Sequence, residues 1–343
     1  MFATLPDALR LIVVPVFCWA AVRDVRTRRL PNRIWPPLYA FGALLLLWDA
    51  ALLWPFAGLD GRWFLVRVAV SLLFVAPLGY AFWYLGAFGG ADAKALIALA
   101  IVFPTFPSYT VAGVSLPLVE TVLGVFSLTI LTNTVLLGLA YPIGLAVFNL
   151  ATGERSSTMF LARPVSTASL PARHGRLFED TRGTTRNGLD LDALRMYLRW
   201  RGLTLAELRD APDRLRDPES VTDTFDPTDG GTQVGPATDG GKVIGTDEDD
   251  SDGDEDDPHG DGDRDGLDLD DPWAAERFLA DIDHGAYGTD AETLREGLEV
   301  VVGRETVRVS PGMPFVVPMA AGLVVSVTYG DALFALLGAF GLA

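Results

Sequence analysis

The chain has 343 residues, half of them hydrophobic, with a mean hydropathy of +0.29 and a formal net charge of −17. Its single cysteine, Cys18, excludes an intrachain disulfide and a cysteine-rich zinc site. Apolar and acidic residues are segregated: 1–151 and 313–343 are almost all apolar, while 152–312 carry most of the charge, which excludes an ordinary soluble protein.

Several apolar runs reach the roughly 20 residues needed to cross a hydrocarbon core. In chain order the expected spans are 8–23, 34–54, 62–86, 92–104, 116–150 and 314–340. The first lacks a basic start and is followed by a basic stretch, which argues for an uncleaved span rather than a signal peptide. The fourth is short. The fifth is too long and is read as one helix kinked at Pro142, rather than as two marginal halves divided at Thr132-Asn133-Thr134. The expected fold class is an all-α polytopic membrane protein of about six transmembrane helices. A large acidic, partly disordered cytoplasmic insertion lies between the last two. The corresponding domains are a catalytic core of five spans over 1–151, an insertion over 152–312 with a disordered acidic linker at 213–269, and a final helix in 313–343.

Orientation follows from the Lys/Arg bias of short loops. "RDVRTRRLPNR" after the first span holds Arg23, Arg26, Arg28, Arg29 and Arg33, so that loop is expected on the cytoplasmic side. The loop before Asp92 and the insertion, which opens with Arg155 and Arg163, then face the same way. Four further membrane charges, Asp49, Arg67, Glu120 and Asp331, fall toward the outer side, where they could pair with one another; a structural role is expected for them.

Within the insertion, "GLDLDALRMYLRWRGLTLAELRDAP" predicts two short helices hinged at Gly202, with Thr204 and Glu207 as a capping box. "DDPWAAERFLADID" predicts a helix with Asp271 as N-cap and Pro272 at its first position. A further helix is expected at about 290–300. Residues 213–269, rich in Asp, Gly, Pro and Thr, read as disordered. "DGDRDGLDLDDP" (261–272) has the alternating aspartates of a calcium loop, but Pro272 stands where a bidentate glutamate is needed, so a solvated acidic linker is the better reading. His174, His259 and His284 are scattered and read as surface residues; no metal is expected. Abundant Asp and only two lysines, Lys94 and Lys242, suggest a halophilic cytosol, whose salt screens carboxylate repulsion and would quench attraction of a basic partner by the linker.

The candidate site comes from the orientation. Asp24 and Asp92 both fall at cytoplasmic ends of their helices, at one membrane level. Two close carboxylates share a proton; one then activates a water as general base while the other polarises a peptide carbonyl, and neither role can be assigned to one residue. Gly89, Gly90 and Ala91 before Asp92 leave room for close approach of another backbone. Pro31 and Asn32 complete an Asp-x6-Pro-Asn stretch starting at Asp24. Lys94 either biases a neighbouring carboxylate or snorkels to headgroups.

"DVRTRRLPN" and "GGADAK" are similar to the two aspartate motifs of the type IV prepilin peptidases, A24-type membrane aspartyl peptidases. The likeness is greatest to the archaeal prepilin and prearchaellin (preflagellin) peptidases, here of a haloarchaeal kind. Ala91 replaces the second glycine of the usual motif. "SPGMPFVVPM" (310–319) also resembles the Pro-Phe-Pro stretch before the family's last span. The likeness covers about 1–151 and 310–343 and leaves the insertion unexplained. It implies a multi-pass cell-membrane endopeptidase, working at the cytoplasmic face, with Asp24 and Asp92 catalytic and Gly89, Gly90, Ala91, Lys94, Pro31 and Asn32 supporting. Its partners would be pilin-like and archaellin precursors with class III signal peptides and the lipid bilayer. No cofactor and no nucleic acid is implied. The Cys-x-x-Cys domain of bacterial members is missing here, so no methyltransferase activity is expected. Competing readings are an ion-coupled transporter using the aspartates as proton or cation sites, an inactive scaffold for appendage assembly, and a presenilin-type intramembrane protease.

Overall fold

The computed structural model describes residues 3–85, 88–232, 271–282 and 285–341. It is mostly helical and divides into two compact units, Met1–Phe160 with Met313–Ala343, and Leu161–Gly312.

In the first unit, α1 (Leu5–Arg10) and α2 (Val13–Thr27) form one rod. α3 (Trp35–Leu53) follows a 3-10 turn at Asn32–Ile34, and its first turn accommodates prolines because their missing N–H would be unpaired there anyway. α4 (Gly58–Val70) and α5 (Ala76–Tyr84) are joined through a π turn at Ser71–Val75. Buried Ser71 bonds there to the Ala100 carbonyl and to Ser127 Oγ, each at 2.7 Å. The next helix, α6 (Gly90–Val102), is well enclosed: Ala93, Ala95, Leu96, Ala98, Leu99, Ala100 and Val102 are all buried. Its alanines let α3 and α5 press close; a Cβ on Gly42 of α3 would stand 2.8 Å from Val102 Cγ2.

The expected fifth span begins ten residues late. Residues 109–116 instead form an antiparallel hairpin, β1 (Tyr109–Val111) with β2 (Val114–Leu116), whose two turn residues Ala112 and Gly113 both have positive φ, as a type I′ turn requires. The helix starts at α7 (Phe126–Gly138) and continues as α8 (Ala140–Ala151). Its interruption at Leu139 lies one turn before Pro142, which has no N–H for the Gly138 carbonyl and whose ring crowds it.

The second unit corrects the all-α expectation. β3 (Arg163–Ser166), β4 (Arg176–Leu177) and β5 (Thr306–Ser310) form an antiparallel sheet in the order β3-β5-β4. β5 buries Val307 and Val309 and turns its other residues outward, the period of a strand with one face covered. α9 (Leu191–Trp200) and α10 (Leu205–Asp210) flank Gly202, which has φ +62, and Thr204 and Glu207 form the capping box. α11 (Pro212–Arg216) and a 3-10 turn at Pro218–Ser220 occupy the start of the expected disordered linker. Residues up to 232 are tied down from α9: Arg195 and Arg199 donate to the carbonyls of Gly230 and Gly231 at 2.5 and 2.6 Å. Residues 233–270 lie outside the described residues, and with them most of the linker, His259 and ten positions of the calcium-like loop; His284 does so too. His174, expected at the surface, is partly buried beside Asp192 at 3.5 Å.

α12 (Ala275–Ala280) is preceded by a 3-10 turn at Pro272–Ala274 in which Trp273 and Ala274 have positive φ, so Pro272 opens that turn rather than the α-helix. Asp271 still caps, its carboxylate accepting the Ala275, Glu276 and Arg277 N–H groups. α13 (Ala291–Gly303) is capped by Asp290. The core of the unit joins Tyr197, Trp200, Trp273, Phe278, Leu294, Leu298 and Val301.

The chain then returns to the first unit as α14 (Val316–Thr328) and α15 (Ala332–Ala339). The expected last span is thus broken, at Gly330. Its φ is +100 and a Cβ would lie 2.0 Å from the Val119 carbonyl oxygen, so the close approach of Val119 requires glycine and ends the helix. α14 packs against α7 and α2. Among the described residues, four helices are long and apolar enough to cross a membrane: Leu5–Thr27, Asn32–Leu53, Gly58–Tyr84 and Phe126–Ala151. At about 1.5 Å per residue, the 13 residues of α6 or α14 reach only about 20 Å, short of a ~30 Å core.

Candidate active site at Asp24 and Asp92

Asp24 lies in the last turn of α2, on the buried stripe Val13, Phe17, Ala20, Asp24, whose spacing of four and three keeps one helix face inward. The helix stops because Arg28 adopts the left-handed conformation (φ 56°, ψ 20°) and donates its N–H to the Asp24 carbonyl at 2.9 Å. The following turn is fastened back on α2. Thr27 Oγ1 donates to the Arg29 carbonyl at 3.0 Å, and Arg23 Nε reaches the same oxygen at 3.4 Å.

Asp92 sits in the first turn of α6, where the helix dipole favours a carboxylate. Its Oδ2 accepts the Gly89 N–H at 3.1 Å, one half of a capping box that glycine, having no side chain, cannot complete. A Cβ on Gly89 would come within 3.2 Å of that oxygen, so the first glycine is there for the carboxylate; on Gly90 the nearest atom would be Trp83 Nε1 at 3.9 Å. Ala91 packs partly buried against the apolar core. Phe88 meets Phe82 edge-to-face and Phe315 at a tilt, with ring centres 4.9 and 4.6 Å apart, which brings the "PFVVP" stretch against the "FGGAD" turn.

Asp24 and Asp92 lie near enough for their charges to interact: Asp24 and Arg28 both act electrostatically on Asp92, and Arg28 acts on Asp24. Lys94 is engaged elsewhere. Its Nζ donates to Asn32 Oδ1 at 2.8 Å, and its carbonyl accepts the Tyr39 hydroxyl at 3.2 Å. Two expected supporting residues from different motifs are therefore bonded to each other, and Pro31 stands just before that contact. Sequence reasoning missed Arg28, Tyr39 and Phe88 as site residues. Arg28 was visible only as one of five arginines, because a left-handed non-glycine has no local signature. Among the described residues no group of three or more His, Cys, Asp or Glu side chains is placed to hold a metal ion.

Asp49, Arg67 and Asp331 each have structural partners other than one another. Asp49 bonds to buried Arg10, which also holds Asp7 and the Val102 carbonyl. Arg67 donates to the Leu123 carbonyl at 3.1 Å. Asp331 is buried and accepts from Thr129 Oγ1 at 2.9 Å while capping α15. Asp49 is thus held by an arginine side chain, Arg67 by a backbone carbonyl and Asp331 by hydroxyls and a helix end.

Residues 11–143 match the sequence model of Peptidase_A24, the type IV leader peptidase family. Asp24, Asp92 and every expected supporting residue lie inside that match. The prepilin peptidase EppA of Methanothermobacter thermautotrophicus is 26% identical over 153 residues, which is 43% of this chain and 38% of that relative. The chain thus spans well under half the length of the curated relative it matches. No solved structure matches the chain.

Proposed function

We propose that the chain is a membrane aspartyl endopeptidase that removes short basic leader peptides from type IV pilin-like and archaellin precursors with class III signal peptides. What supports this reading is that Asp24 and Asp92 lie near enough for their charges to interact, within the stretch that matches the leader peptidase family. One carboxylate takes a proton from a water held between them, and the other, protonated, donates to the scissile carbonyl. The five arginines from Arg23 to Arg33 support placing this end of the helices at the cytoplasmic face. In this reading 1–151 and 313–343 form a multi-pass catalytic core, and 152–312 a cytoplasmic insertion. One cysteine cannot form paired Cys-x-x-Cys motifs, which supports cleavage without N-methylation. A transporter would hold its charged groups near the membrane midplane in broken helices; Asp24 and Asp92 occupy helix ends, and the break at Gly330 has its carboxylate taken up by threonine hydroxyls.

Co-expression with a pilin-like precursor tests the proposal, leader removal being read as a gel shift. Asp24→Asn and Asp92→Asn should each abolish processing while the protein stays in the membrane at normal abundance. Cleavage by either variant at more than about a hundredth of the normal rate defeats the pair mechanism, since loss of a general acid or base removes about 10²–10⁴-fold.

A further inference from the structure

We propose that Lys94 is a positioning residue that acts through Asn32, joining the turn after α2 to α6 and so setting the distance between the two aspartates. This deepens the peptidase reading and rests on it. Lys94 follows Asp92 by two residues, and at about 100° per residue their side chains leave α6 in nearly opposite directions. The ammonium therefore points away from the carboxylate and spans to another segment, donating to Asn32 Oδ1 at 2.8 Å.

Asn32 opens the 3-10 turn into α3, and the residues before it are fastened to α2. Arg28 N–H bonds the Asp24 carbonyl at 2.9 Å, and the Arg29 carbonyl accepts from Thr27 and Arg23. A second tie lies beside the first: the Tyr39 hydroxyl of α3 donates to the Lys94 carbonyl at 3.2 Å. A path thus runs from the first turn of α6 by a hydrogen bond to Asn32, along the backbone through Pro31 and Leu30 to the Arg28–Arg29 turn, and by hydrogen bonds to the last turn of α2. The helices bearing Asp24 and Asp92 are held by this path at the ends that carry the two carboxylates. The charges that act on Asp92 are those of Asp24 and Arg28. Lys94 contributes geometry, and its charge serves to strengthen a bond to a neutral amide.

The experiment measures precursor cleavage by the full-length protein in membranes, with Asp24→Asn and Asp92→Asn run alongside. Lys94→Met and Asn32→Leu should each lower kcat about tenfold to a hundredfold, the loss expected for a misplacement approaching 1 Å, with KM within about twofold. The double variant should be no worse than the poorer single, because both remove one bond. Asn32→Asp keeps the acceptor and should stay within about threefold of the parent. The exchange of Asn32→Lys with Lys94→Asn should recover most of the lost rate. The pH–rate profile of Lys94→Met should overlay that of the parent, since Asp24, Asp92 and Arg28 remain. Multiplicative losses in the double variant, a raised KM, a displaced pH profile or failure of Asn32→Asp would overturn the proposal. If the aspartate variants still cleave, the peptidase reading falls; if they are inactive and the Lys94 series behaves multiplicatively, only the positioning role falls.

Discussion

Replacing Gly89 with alanine separates the two glycines of "FGGAD". At Gly89 the backbone (φ −69°, ψ 158°) suits any residue, so alanine adds no backbone strain and, by restricting the unfolded chain, would by itself stabilise by about 0.4–1 kcal/mol. The new Cβ, however, would stand 3.2 Å from Asp92 Oδ2, closer than ordinary contact, so the carboxylate must move by a few tenths of an ångström. That movement stretches the 3.1 Å bond from the Gly89 N–H, a charge-assisted bond of about 1.5–3 kcal/mol. The net stability change should therefore lie within about 2 kcal/mol of zero. The cleavage rate should fall about three- to tenfold, since a full ångström of misplacement costs about a hundredfold. Gly90→Ala is the control: its Cβ would meet Trp83 Nε1 at 3.9 Å, an ordinary contact, and should leave the rate within about twofold. Initial rates of leader removal and thermal unfolding of the detergent-solubilised protein measure both. Equal losses in the two variants, or a larger loss at Gly90, would refute the argument that Gly89 is small for the sake of the Asp92 carboxylate.

Phe315→Ala removes one ring from the Phe82–Phe88–Phe315 cluster and should lower stability by about 1–2 kcal/mol, with thermal unfolding as the measure; an unchanged midpoint would mean the ring is not holding the turn. Arg195→Met should free residues 226–232 to protease, because it removes the donor to the Gly230 and Arg173 carbonyls and leaves buried acceptors, at a loss of about 3 kcal/mol; limited proteolysis reads this, and unaltered resistance in the segment would count against the anchor. Asp290→Ala removes the cap of α13 and should destabilise by about 1 kcal/mol. The Thr293 N–H holds the Asp290 carboxyl below the usual carboxylate range, so this contribution is complete above pH ~4 and disappears as pH falls through the lower native value. Unfolding midpoints of parent and variant should therefore differ at pH 7 and converge toward pH 2, and a constant gap would contradict the linkage.

What could be read along the chain was what short stretches specify locally. Hydropathy over a window marked the first three spans, because a helix in lipid must satisfy its backbone within itself and cover it with apolar side chains. The capping box at Thr204 and Glu207 and the cap at Asp290 act within one turn, and the first was legible for that reason. Both aspartates stood out because charge at the end of an apolar run is rare. Hydropathy gave no warning of the hairpin at 109–116, since its residues are as apolar as the helix that follows. Nor did it reveal the break at Gly330, which depends on Val119 arriving from another part of the fold. The sheet of the second unit was missed because β3 pairs with a strand some 140 residues away, and neither strand is long enough to declare itself. The partners of Lys94, Asn32 and Asp49 were likewise out of reach. Side chains on different helices choose one another by distance, and distance is set by how close alanine and glycine let the backbones pack, which only the assembled structure decides.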